Sequence, residues 1–165
     1  MKPVTNVPSG IDFVAVAAFQ QQAADLVRRV GGAGAELGRV RDQLRHMRAA
    51  LVQTPKAEPA LYARIDSVTR SIAELEVRLN GHPARQRLSE SEAPSIGERV
   101  GMVTGGHWQT RQMPTATMRR DLEIATTAIG ALERELAAVL AGDLSRLEAA
   151  LQAAGAPWTP GRRPD

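Results

Sequence analysis

Residues 16–51, VAAFQQQAADLVRRVGGAGAELGRVRDQLRHMRAAL, decide the fold because their apolar side chains recur at alternating intervals of three and four residues. This spacing keeps one apolar stripe on one face of a helix, as in helices that pack along other helices. The stripe consists of Val16, Phe19, Ala23, Leu26, Val30, Ala33, Leu37, Val40, Leu44, Met47 and Leu51. It predicts a first helix over residues 11–53, about 64 Å long at 1.5 Å per residue.

Four glycines, Gly31, Gly32, Gly34 and Gly38, fall inside this predicted helix. Each costs about 1 kcal/mol relative to alanine in a helix. They are compatible with a kink, a break or a close crossing of another helix. We favour a close crossing, because the apolar stripe continues in phase through all four.

Three further segments repeat the helical spacing, and we predict helices over residues 60–80, 95–106 and 117–154. In the last of them the apolar positions shift by one four-residue step at Leu140. Such a shift unwinds helix packing locally without ending the helix. The fourth helix is therefore expected to be nearly as long as the first.

Local signals mark several helix ends. Ser9 is predicted to cap the first helix, with Asp12, three residues later, as the acidic partner of the cap. Gly81 is predicted to end the second helix. Ser95 followed by Glu98 is the pattern of a capping box at the start of the third.

These lengths predict an all-α architecture. The first and fourth helices match in length, while the second and third together supply one more leg when laid end to end. The prediction is an antiparallel, up-down-up bundle whose middle leg is split into two helices, and the alternative is a four-helix bundle. The whole chain, 1–165, is predicted to be one domain with an N-terminal extension (1–10) and a C-terminal tail (155–165).

Composition restricts the possible functions. The chain has no cysteine, which excludes disulfides and thiolate nucleophiles, and aromatic residues make up only 3%. It lacks an apolar run of about 18 residues, so we expect a soluble chain without membrane insertion. Its 21 Lys and Arg residues leave a net charge of only +3, which is weak support for a nucleic-acid partner.

The histidines do not suggest a metal site. His46, His82 and His107 include no pair at the spacing of three or four residues that places two ligands on one helix face. His107 continues the apolar register of the third helix. We therefore expect it to lie at a helix end, hydrogen-bonded to the backbone, and we expect neither a metal nor another cofactor.

Acidic residues are a second candidate for chemistry. Glu90, Glu92 and Glu98 contain the carboxylate pair that sugar hydrolysis would require. Glu98 is better explained as a helix cap and the other two as solvated loop charges. We predict no catalytic residues.

A stripe of Arg41, Arg45 and Arg48 is the main basic feature. Its spacing suits a phosphate backbone, but Asp42 interrupts it and no aromatic residues alternate with it. We instead expect salt bridges to acidic residues of other helices, which are Glu74, Glu76, Glu133 and Glu135.

The C-terminal tail contains the second tryptophan of the chain. We expect Trp158 to fold back over the end of the bundle. In the functional alternative, Trp158, Trp108, Arg162 and Arg163 contact a partner, because aromatic residues and arginine are frequent anchors of interfaces.

Four short motifs resemble a known family. Residues 94–100 (PSIGERV), Trp108, residues 114–117 (PTAT) and residues 154–162 (AGAPWTPGR) are similar in order and spacing to the C-terminal helical region of bacterial sortilin-like or BNR (WD40/YVTN, sialidase-type) β-propeller repeat proteins. The resemblance implies a non-catalytic accessory domain of an exported protein, hence an extracytoplasmic location. Any glycosidase activity would belong to the propeller, whose repeats this chain lacks.

Together these observations predict a structural or interaction module that packs on a propeller or oligomerises. The expected partners are the β-propeller of a parent protein or a second copy of the chain. The alternative is a basic helical nucleic-acid-binding protein.

Overall fold

The structure is a computed structural model that describes residues 10–55, 57–108 and 112–161. The predicted all-α class is confirmed, since these residues form helices and no strand. The helices are α1 (Phe13–Val52), α2 (Pro59–Asn80), α3 (Pro83–Arg87), α4 (Ile96–His107), α5 (Ala116–Val139), a π-helical segment (Leu140–Leu144) and α6 (Ser145–Ala153). Ser9, Arg162 and Arg163 lie outside the described residues.

The helix ends follow local chemistry. Asp12 Oδ1 accepts hydrogen bonds from the amides of Val14 (2.9 Å) and Ala15 (3.0 Å), so Asp12 is itself the cap of α1. The predicted capping box of α4 is confirmed, because Glu98 N donates to Ser95 Oγ (3.2 Å) and Ser95 N donates to Glu98 Oε2 (2.8 Å).

The second helix runs back along the first. Near the α1–α2 connection Arg48 pairs with Asp66, and near the far end of α2 a Cβ at Gly34 would lie 3.5 Å from Leu79 Cδ2. Residue numbers therefore rise along α2 as they fall along α1. The two helices are antiparallel.

Helix α4 continues the same path along the first part of α1. A Cβ at Gly97 would lie 3.1 Å from the carbonyl oxygen of Leu79, which places the start of α4 at the end of α2. At the other end of α4, the His107 ring packs against Phe19. The contacts thus follow the order expected of a middle leg divided between α2 and α4.

The third leg runs in the same direction as α1. Glu133 of α5 binds Arg29, and farther along, Glu148 of α6 accepts a 2.6 Å hydrogen bond from Gln43 Nε2. The core between the legs is continuous. Every predicted position of the α1 stripe is buried except Val30, which is partly buried, and all but Val16 belong to this core or pack against it.

Helix α3 lies in a segment for which the sequence predicted only a loop. It spans five residues and buries none of them. Helix α3 therefore has no buried apolar stripe. That stripe is the pattern from which the other helices were predicted. Pro83 supplies the fixed φ angle that suits a first helical turn.

The close crossing expected at the α1 glycines is wrong. The helix is continuous, and a Cβ at Gly31 or Gly32 would meet nothing within 4 Å. At Gly34 the distance of 3.5 Å to Leu79 is an ordinary van der Waals contact. The structure contains no close backbone approach that requires glycine here.

Replacing these glycines should therefore stabilise the protein. Gly31→Ala and Gly32→Ala are each expected to raise the free energy of unfolding by about 1 kcal/mol, the difference in helix propensity. Urea unfolding measures the change. Gly97→Ala is the control, because its Cβ would press on the Leu79 carbonyl oxygen and should bring no gain. A loss of stability in the Gly31→Ala variant would indicate instead that another helix crosses α1 closely at this glycine.

The shift in apolar register predicted at Leu140 takes the form of a π turn. Leu144 follows Leu136 in the core by eight residues, where a regular repeat gives seven. A π turn closes its hydrogen bond over five residues rather than four, and so it absorbs one extra residue. The helical path continues to Ala153, as the sequence predicted.

Deleting one residue at this point should accordingly be tolerated. Removing Gly142 restores the seven-residue spacing, and we expect the free energy of unfolding to stay within about 1 kcal/mol of the wild type. Removing Gly130 from the regular part of α5 is the matched control. It rotates Leu132 and Leu136 by roughly 100° out of the core, which should cost several kcal/mol. Equal losses in chemical denaturation would contradict the role assigned to the π turn.

Candidate interaction surface

The two tryptophans are exposed, with 53% of Trp108 and 65% of Trp158 accessible. They do not form one surface. Trp108 follows α4 at the Phe19 end of α1, whereas the tail that carries Trp158 reaches Gln43. Phe19 and Gln43 are about 36 Å apart along the helix at 1.5 Å per residue.

The expectation that Trp158 covers the end of the bundle is wrong. After α6 the chain reverses at Gly155, whose φ is +69°, while Ala156 N donates to the carbonyl of Leu151 at 3.0 Å. This is the Schellman arrangement of a helix end. It buries Ala156 and Thr159 and leaves Trp158 between them on the outside.

A groove of about 780 Å³ lies between the first half of α1 and the start of α5. Its lining includes the apolar side chains of Phe19, Leu26 and Leu122. Met113 and Pro114, from the connection that precedes α5, also line it. No sequence pattern indicates this groove, because it depends on how far apart two helices lie.

Small side chains form part of the walls of the groove. Ala15 and Ala18 contribute from α1, and Thr126 and Thr127 from α5. Both threonine hydroxyls donate to backbone carbonyls of their own helix, at 2.7 and 3.0 Å. The hydroxyls are therefore already satisfied within the protein.

Two arginines at the groove are engaged within the protein. Arg29 donates to both carboxylate oxygens of Glu133, at 3.1 and 2.6 Å, and so joins α1 to α5. At the other end, Arg119 donates through Nε (3.2 Å) and Nη2 (2.7 Å) to the carbonyl of Pro114. Neither guanidinium is positioned as a free cation for chemistry.

His107 secures the connection beside the groove. It is only 2% exposed, and its ring packs edge-on against Phe19 with 4.8 Å between centroids. Its Nε2 lies 3.1 Å from the carbonyl oxygen of Gln112, and since a carbonyl only accepts, Nε2 carries the hydrogen. The prediction of a helix-end histidine bonded to the backbone is confirmed.

The tip of α1 is apolar on all sides. Residues 13–19 read FVAVAAF, and Phe13 and Val14 are 52% and 80% exposed although they belong to a helix at the protein surface. A surface helix ordinarily presents charged or polar residues on its outer face. Because the tip adjoins the groove through Ala15 and Ala18, the two form one continuous surface, which we call the tip–groove surface.

The arginine stripe is balanced by carboxylates. Arg41 binds Glu76 at 2.9 Å, Arg45 lies 3.4 Å from Asp42, and Arg48 binds Asp66. The predicted bridge from this stripe to another helix is confirmed for Arg41 with Glu76, whereas Arg48 pairs with Asp66 of α2 and Arg45 with Asp42 of its own helix. Glu133 and Glu135 also pair across the bundle, but with Arg29 and Arg78 rather than with the stripe. A phosphate backbone would have to compete with these acidic partners.

The acidic candidates are also accounted for. Glu90 and Glu92 lie 4.0 and 3.7 Å from the guanidinium of Arg85, and Glu98 belongs to the capping box. Hydrogen bonds from the Ser95 amide and hydroxyl lower the pKa of Glu98. Within residues 10–55, 57–108 and 112–161, no three His, Asp or Glu side chains are grouped so that they could hold a metal ion.

Ion pairs between the legs shift carboxyl pKa values downward. The hydrogen bond from Arg29 lowers the pKa of Glu133, and that from Arg78 lowers the pKa of Glu135. Both pairs are partly exposed, with 38–52% of each side chain accessible, so each contributes little stability by itself. The downward direction of the two pKa shifts nevertheless determines how the free energy of unfolding changes in acid.

The free energy of unfolding should fall as the pH is lowered from about 5 to about 3. Glu133 has a lower pKa in the folded chain than its ordinary 4.5, so its contribution is present above that value and is lost as the pH falls through the folded pKa. Glu133→Gln and Arg29→Gln should both reduce this slope in urea unfolding at a series of pH values. Wild-type slopes in both variants would show that the pair contributes nothing.

Across the described parts of the chain, no helix is both long and apolar enough to cross a membrane. Comparisons of the chain with known protein families, with curated proteins and with solved structures found no match. The resemblance to the helical region of β-propeller repeat proteins therefore stays a prediction.

Proposed function

We propose that this chain is a non-catalytic helical module that works by docking the tip–groove surface onto another protein surface. The observation that carries the proposal is the exposure of Phe13 and Val14 beside an apolar groove. Contiguous apolar surface of this kind marks interaction sites in folded proteins.

An enzymatic role has less support from the same groove. Its charged side chains include Arg29 and Arg119, which are bound to Glu133 and to a backbone carbonyl. Catalysis needs convergent acids, bases or nucleophiles around a place for substrate. The groove also contains the carboxylates Asp25 and Glu123, but Asp25 is paired with Arg28 of its own helix, and no histidine of the described residues lies in the lining beside them.

The resemblance of residues 94–100 and 154–162 adds a candidate for the larger context. In that context the module is the C-terminal accessory bundle of an exported β-propeller protein, and the propeller or a second copy of the module covers the tip–groove surface. The alternative of nucleic-acid binding is disfavoured by the carboxylates beside Arg41, Arg45 and Arg48. Its signature would be binding that weakens steeply with added salt.

Site-specific photocrosslinking tests the docking surface. A benzophenone amino acid at Ala18, on the groove wall, should crosslink in native cells to one defined protein, which mass spectrometry identifies. The same amino acid at Ala49, an exposed position near the other end of α1, is the matched control and should not.

Binding of the identified partner is then measured with purified proteins. Ala18→Glu should weaken it by at least about tenfold, because a carboxylate would be buried without a partner. Ala49→Glu should leave it unchanged. Equal crosslinking from both positions, or none from Ala18, would contradict the proposal.

A further inference from the structure

The C-terminal turn, residues 156–161 (APWTPG), exposes one tryptophan between two prolines. We propose that it is a second docking element, which enters an aromatic-lined groove on a partner protein, of the kind that recognises proline-rich segments. Such grooves bind ligands in the extended polyproline II conformation. The turn reaches Gln43, about 36 Å along α1 from Phe19, so this inference goes beyond the tip–groove surface and does not rest on it.

Proline restricts the backbone of this turn. The rings of Pro157 and Pro160 fix φ at about −65°. Proline also pushes the residue before it out of the helical region toward an extended conformation, which applies to Ala156 and Thr159. Residues 156–159 are accordingly neither helix nor strand. These restrictions favour polyproline II, which has three residues per turn.

The burial of the turn follows the same period of three. Ala156 and Thr159 are buried, whereas both prolines and Trp158 are exposed. With three residues per turn, positions 156 and 159 share one edge of the segment, the prolines share the second, and Trp158 lies on the third. The bundle therefore covers the first edge only. The proline and tryptophan edges face outward, where the groove of a partner can bind them.

Both ends of the turn are fixed to the bundle. Its start follows the Schellman end of α6. At its other end, the carbonyl of Gly161 accepts a 3.3 Å hydrogen bond from Nε2 of Gln43, a side chain that is only 4% exposed. Gln43 is itself held by Arg39 (3.1 Å) and by Glu148 (2.6 Å). A ligand that is ordered before binding loses less conformational freedom, so this anchoring favours recognition of the turn.

The chemistry of the segment also restricts the partner. Arg162 and Arg163 come directly after the turn in the sequence. Tryptophan and arginine are among the residues most enriched at the energetic centres of protein interfaces. We expect carboxylates beside the aromatic groove, because complementary charges speed association and suppress wrong partners. A nucleic acid would engage the arginines without needing the prolines, so binding that depends on Pro160 distinguishes a protein groove from a nucleic acid.

Isothermal titration calorimetry of the full chain with three purified proline-recognition domains, an SH3, a WW and an EVH1 domain, tests the proposal. At least one of them should bind, and Trp158→Ala and Pro160→Ala should each weaken that binding by at least about tenfold. Trp108→Ala, at the other exposed tryptophan, is the matched control and should leave it unchanged. The proposal is overturned if none of the three domains binds, or if binding survives either substitution in the turn.

A synthetic peptide of residues 154–165 tests whether the bundle presents the turn. The peptide has the same side chains but lacks the hydrogen bond from Gln43, so it should bind the same domain at least about fivefold more weakly than the full chain does. Equal affinities would overturn the fixed presentation on which this inference depends. Neither experiment involves Ala18, so their failure leaves the proposed function of the tip–groove surface to its own test.

Discussion

The apolar stripe along α1 is the contact on which the rest of the structure depends. The helix is 40 residues long, and α2, α4 and α5 all pack against it. Because α1 spans the whole bundle, the middle leg can be divided at Gly81 and the third leg can include a π turn without a gap in the core. Interruptions in the shorter legs are tolerated because α1 is continuous beside them.

Ion pairs between the legs engage part of the positive charge of this arginine-rich chain. Arg29, Arg41 and Arg78 each bind a glutamate on another helix. Such exposed pairs contribute little to the free energy of folding. They do fix which faces of the helices lie next to each other, and they occupy guanidinium groups that would otherwise be available to phosphates.

One end of the bundle lacks this polar cover. Around the tip of α1 the outer positions are occupied by Phe13, Val14 and alanines, and the neighbouring groove contains the apolar side chains of Phe19, Leu26 and Leu122. Burying this surface against a protein would remove apolar area from water, which is the main driving force of association. A closely packed helical core offers no chemistry by itself, and we therefore propose that the function of this chain depends on this surface.

The sequence by itself determined the helical class, the buried stripe of α1, the capping box at Ser95 and the continuation of the last helix past Leu140. Each of these depends on residues a few positions apart, whose spacing and hydrogen bonding are local. The tertiary structure decided the open space at Gly31, the outward position of Trp158 and the groove beside Ala18. These features depend on the distance between segments far apart in the chain, and a periodic pattern contains no information about that distance.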